Sequence, residues 1–164
     1  MTAEGLERTA RDYFARISAR DAAGMERFWS PAPVWELLAL GVTIGPVEAR
    51  GFFGGLFAAI PDLETSVEHV TPDTRTTALQ WHMVGTFDGT PFQGIKATGR
   101  RIELRGCDCL EWEDGKLVKN TVYYDGLGFA RDVGMLPPQE SLAERGMYAA
   151  FNALTTVRRR LPRR

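Results

Sequence analysis

From Ile102 to Trp112 apolar and polar residues alternate, the two-residue period of a strand with one buried face. One set reads Ile102, Leu104, Gly106, Asp108, Leu110, Trp112; the other reads Glu103, Arg105, Cys107, Cys109, Glu111, Glu113. An acid, Asp108, therefore stands on the apolar face. Strand patterns also run over 62–70, 76–87 and 116–124, with a short one at "VWELL" (34–38). Leu6, Ala10, Tyr13, Phe14 and Ile17 recur at helical spacing and predict a helix over 4–19. Asp21 caps a short second helix through Phe28, which Pro31 and Pro33 break. Pro46 opens a third helix that ends at Pro61. After Asp125 comes a short helix, "GLGFARDVG", and Ser141 with Glu144 fits a capping box. The long helix it opens carries Leu142, Tyr148, Phe151, Leu154 and Val157 as apolar positions.

Helices first, then one helix enclosed by strands, then consecutive antiparallel strands, then helices again: this order is α+β. It predicts a cone-shaped, strongly curved antiparallel sheet wrapped around the N-terminal helices, with an extra C-terminal helix. "EDG" (113–115) is the turn between the last two strands. A three-residue loop with Gly115 in a bulge pairs Asp108 with Asn120, whereas a two-residue loop puts Thr121 and Tyr123 beside it. The bulged loop is preferred because it keeps Val122 and Tyr124 inside.

Composition narrows the function classes. The 164 residues, 44% hydrophobic and 25% charged, suit one soluble domain with a real core, and the net charge of -1 gives no reason to expect a nucleic-acid partner. No apolar run approaches the roughly 18 residues of a membrane span. The N-terminus lacks a signal-peptide apolar core, which reads as cytoplasmic. Cys107 and Cys109, two apart on one strand face, are expected as small buried thiols, and no metal-ligand spacing is present. The tail "VRRRLPRR" is expected as a solvated end, a basic surface for acidic lipid or nucleic acid being the alternative.

The segments "YFARISARDAAGMERFW" (13–29), "GPVEARGFFGGLFAAIPDLE" (45–64) and "GCDCLEWEDGKLVKNTVYYDGLGFARDVGMLP" (106–137) resemble the nuclear transport factor 2-like superfamily. The branches they are most similar to are the SnoaL-like polyketide cyclases and ketosteroid isomerases. The resemblance makes 1–137 the family domain and 138–164 a helical extension. It implies a pocket for a small hydrophobic ketone, polycyclic ones included, and cofactor-independent acid-base chemistry of the isomerase or cyclase type. It places Asp108 where the cyclases have a catalytic histidine and the isomerases an oxyanion-hole aspartic acid. Tyr13 takes the place of the oxyanion-hole tyrosine. The isomerase base aligns with Leu37, with Glu36 facing the other way, and the cyclase aspartate and the limonene-epoxide hydrolase acid align with Val122.

Asp108 and Tyr13 are thus the candidate catalytic pair, and Trp35, Phe52, Phe57, Trp81, Met83, Phe92, Asn120, Val122 and Tyr124 the candidate substrate-binding wall. Burying an isolated carboxylate costs several kcal/mol, so Asp108 must be paired or neutralised. Held neutral it would donate to an oxyanion; held ionised it would act as a base; sequence leaves both open. Asp125 reads as a helix cap, His82 as facing away from the pocket and His69 as surface or dimer interface. The rival to an enzyme is a non-catalytic binding or dimerisation module of the same fold. An open cavity with Asp108 free of protein partners would favour the enzyme; a collapsed cone with Asp108 fully bonded would favour the module. The wide outer sheet face suggests a homodimer.

Overall fold

The computed structural model describes residues 2–160. Helices α1 (Ala3–Ser18) and α2 (Ala22–Glu26) lead into strand β1 (Trp29–Leu37), a single 3-10 turn (Leu38–Leu40) and β2 (Val42–Ile44). Helix α3 (Pro46–Ala59) precedes β3 (Glu64–Pro72), β4 (Thr76–Phe87), β5 (Arg100–Glu113) and β6 (Lys116–Tyr124). Helices α4 (Gly126–Asp132) and α5 (Leu142–Arg160) follow. The predicted α+β class is the observed one: one curved, unclosed sheet in the order β2-β1-β6-β5-β4-β3, with α1 and α3 against its inner side.

The starts and stops follow side-chain chemistry. Asp21 and Asp125 each accept a hydrogen bond from the backbone N–H three residues on, as N-caps do. In α1 the buried stripe is Leu6, Ala10, Tyr13, Phe14 and Ile17. The α5 cap differs from a simple capping box. Ser141 Oγ accepts from the Glu144 N–H, but the Glu144 carboxylate reaches back to the Glu140 N–H and also binds Arg131 and Tyr148. Beyond Glu144 every residue of α5 whose burial is described is exposed, except Thr155. Residues 161–164, the end of the predicted Arg-rich tail, lie outside the described residues.

Four expectations are corrected. Pro31 and Pro33 do not end a helix but lie inside β1, where the pairing with β6 is interrupted between Trp29 and Val34, so no ladder bond misses their N–H. The pair β1–β6 is parallel, so the sheet is mixed rather than wholly antiparallel. The β5–β6 loop has two residues, Asp114 and Gly115, both at positive φ (49° and 76°), and the bulge lies further in, at Val118. Asp108 consequently pairs with Val122, and Asn120 with Leu110. The bulge still keeps Asn120, Val122 and Tyr124 on the inner face, the condition the sequence imposed. Finally, Cys109 is exposed and Cys107 only partly buried, because both lie on the outer face opposite Asp108.

Candidate active site

On the inner face the register sets the site in rows. Leu79, Asp108 and Val122 lie side by side across β4, β5 and β6, with Leu37 of β1 next to Val122. The adjacent row is Trp81, Gly106 and Tyr124. Gly106 is what lets Trp81 reach sideways: a Cβ there would sit 2.2 Å from Trp81 Cζ2 and 2.5 Å from the Tyr123 carbonyl oxygen. The indole lies across the glycine and its Nε1–H donates to Asp108 Oδ1 at 2.7 Å. From the other diagonal, Asn120 Nδ2 donates to Asp108 Oδ2 at 2.5 Å. Diagonal partners on a sheet are about 7–8 Å apart at Cα, within reach of long side chains.

Asp108 is 5% exposed. Burial raises its pKa, and the hydrogen bonds from Asn120 and Trp81 pull it back; the net result is about 6. At neutral pH the group is mostly a carboxylate. Each oxygen uses one lone pair on a protein donor and keeps another, so the group can still accept a proton.

Asp108 lines a cavity of about 100 Å³. Asp108, Trp81, Met83, Phe52, Phe92, Asn120, Val122 and Tyr124 all line it. Apart from Asp108, Asn120, Tyr124 and the Trp81 N–H its side chains are apolar. Phe52 and Phe92 meet edge to face at 5.4 Å, joining α3 to the loop 88–99.

Tyr13, Trp35 and Phe57 do not line it. Tyr13 is fully buried against Phe14 (5.9 Å) and Phe28 (5.7 Å), and α1 presents Phe14 and Ile17 to the cavity instead. Ile17 lies one turn further along the same stripe, so it is position along the helix axis that leaves Tyr13 behind the cavity wall, against Phe28. Its hydroxyl has no hydrogen-bond partner among the described residues, nor have the indole N–H groups of Trp29 and Trp35. Burial holds the phenol well above its ordinary pKa; the Trp29 and Trp35 N–H groups, outside hydrogen-bond geometry, oppose this only in part, and the Asp108 charge adds to the rise. Trp35 packs on Trp29 (4.7 Å) and Phe53 (6.5 Å), and Phe57 tilts against Phe53. Phe14, Ile17, Leu104 and Phe129 are wall residues that the sequence reading did not single out. Leu104 was signalled, since it shares the alternation of Asp108.

The remaining candidates are accounted for. Leu37 and Val122 line the cavity and supply no base. Glu36 faces the outer side, bound to Thr121 Oγ1 (3.0 Å) and Lys119 Nζ (3.1 Å). His82 pairs with Glu103 at 2.9 Å on the outer face, and His69 is exposed. Among the described residues no group of three or more His, Cys, Asp or Glu could hold a metal ion, and no helix is long and apolar enough to cross a membrane.

Comparison with solved structures shows the same fold. AclR from Streptomyces galilaeus superposes with a TM-score of 0.76 at 21% identity, over 96% of this chain and 98% of that one. A SnoaL-like protein from Jannaschia sp. CCS1 gives 0.73 at 20%, over 82% and 95%. IdmH from Streptomyces antibioticus gives 0.67 at 18%, over 78% and 97%. No curated protein matches significantly. The family model for SnoaL-like polyketide cyclase matches residues 7–133, which contain Asp108 and every residue that lines the cavity. The chain belongs to the SnoaL-like polyketide cyclase family.

Proposed function

We propose that the cavity binds a flat, largely apolar ketone and that Asp108 removes a proton from the carbon next to its carbonyl, beginning a cofactor-independent isomerisation or cyclisation. The observation that carries this reading is a single carboxyl on an apolar wall, poised near pH 6 by burial against two N–H donors. A general base works best with a pKa close to the operating pH, and such catalysis contributes about 10²–10⁴-fold. The two donors stabilise the ionised form, which favours the base over a neutral carboxylic acid that would donate to an oxyanion. Aromatic side chains with a few polar groups suit a polyketide-like substrate.

The test uses 2-tetralone, a bicyclic ketone with acidic α-protons. Deuterium exchange at its α-carbon in D₂O, followed by NMR, is expected to be protein-catalysed and to fall at least about 10²-fold in Asp108→Asn. The sign of the pH dependence follows from the raised pKa: only the carboxylate accepts a proton, so the rate climbs through about pH 6 to a plateau and is lost below it. Equal rates in wild type and variant would remove Asp108 as the base.

A second reading, a binding module without catalysis, draws on the fact that both Asp108 oxygens are already bonded within the protein. The open cavity counts against the collapsed cone that such a module would show. Tetralone binding with no Asp108-dependent exchange would favour the module.

A further inference from the structure

An enolate formed by Asp108 needs a donor for its oxygen, and Tyr13 is not on the cavity wall. Among the described residues only three side chains there, besides Asp108, carry a polar hydrogen: Trp81, Asn120 and Tyr124. Trp81 gives its single N–H to Asp108, and Asn120 gives one of its two N–H groups to the other carboxylate oxygen, so both nitrogens are held on Asp108. Tyr124 differs from both. It stands two residues beyond Val122, the cross-strand partner of Asp108, just as Asn120 stands two residues before it. The two residues therefore flank Asp108 at equal register. Asn120 bonds the carboxylate, while burial alone perturbs Tyr124, whose hydroxyl is raised above its ordinary pKa with no hydrogen bond contributing. The phenol thus keeps its proton at neutral pH. Its cross-strand neighbour is Gly106, so no side chain of β5 stands beside it in that row.

We propose that Tyr124 is the oxyanion donor of this site: its O–H binds the ketone oxygen of a substrate whose α-carbon lies against Asp108. This rests on the base reading above and adds the electrophilic half. Asp108 takes the α-proton, the C–H pair becomes the enolate double bond, and the carbonyl π pair moves onto the oxygen held by Tyr124. The enolate carbon then takes the proton back, at the same or a conjugated carbon, or attacks a second carbonyl of the same molecule. In that case the new alkoxide takes the proton from Asp108. The substrate class is therefore a ketone whose enolate is planar and conjugated, with its oxygen and α-carbon spanning the diagonal from Tyr124 to Asp108.

Two readouts on 2-tetralone test this separately from the base. In Tyr124→Phe, exchange is expected to fall about 10²-fold, the scale for losing one oxyanion donor. The infrared C=O stretch of bound carbonyl-¹³C tetralone should move up, toward its value in an apolar solvent. In Asp108→Asn the exchange is lost but the lowered stretch remains. A lowered stretch that depends on Tyr124, without Asp108-dependent exchange, would uphold the donor and remove the base. A Tyr124→Phe protein with wild-type exchange and an unchanged stretch would overturn the donor.

Discussion

At Asp108 burial and hydrogen bonding pull in opposite directions, and the balance decides what the carboxyl can do. Loss of solvent favours the neutral form; the N–H groups of Trp81 and Asn120 favour the charged one. A hydrogen bond to a charged group is worth about 1.5–3 kcal/mol, and 1.36 kcal/mol is one pKa unit. Trp81→Phe should therefore raise the Asp108 pKa by about one to two units and shift the acid limb of the exchange profile upward by as much. The rate at pH 7 falls and recovers at higher pH. A rate reduced equally at all pH values would mean that Trp81 only packs. Asp108 was visible in the sequence because it interrupts an apolar alternation, and Asp125 because a cap precedes a glycine-rich helix start. The role of Trp81 was not visible. It depends on a diagonal contact across two strands, which no pattern along one strand encodes.

Between elements, the site depends on the close approach of β4 and β5 at a residue without a side chain. Gly106→Ala would drive a methyl into the Trp81 ring and the Tyr123 carbonyl oxygen. Overpacking of this kind costs about 1–3 kcal/mol, and urea unfolding should show it as a lower midpoint. Gly51→Ala, at an exposed position of α3, meets nothing within 4 Å and should instead stabilise by roughly 0.5–1 kcal/mol. A lowered midpoint in both variants would mean that the loss at Gly106 is not steric. The strands themselves were legible from alternation and the β5–β6 turn from Gly115. Their register was not: moving the bulge from the loop to Val118 changes which residue faces Asp108 while leaving the inner face unchanged. The parallel contact of β1 with β6 was also hidden, since two prolines masked the first half of β1.

Over the whole molecule, the sequence separated inside from outside but not wall from cavity. Tyr13 and Trp35 are as inward as their patterns demand, yet they are packed behind the surface that Phe14, Trp81 and Tyr124 present. That distinction depends on how far the sheet curves around α1, a property of every strand at once. The family match ends at residue 133, so α5 lies beyond it, tied to α4 by the Arg131–Glu144 pair at 2.8 Å. The catalytic reading needs a carboxylate that is buried, bonded and still titrating near neutrality. Carboxyl-¹³C NMR of aspartate-labelled protein, with the Asp108 signal identified by its loss in Asp108→Asn, measures this directly. The account predicts a midpoint near pH 6; a midpoint below about 4, the ordinary range for aspartate, would contradict it.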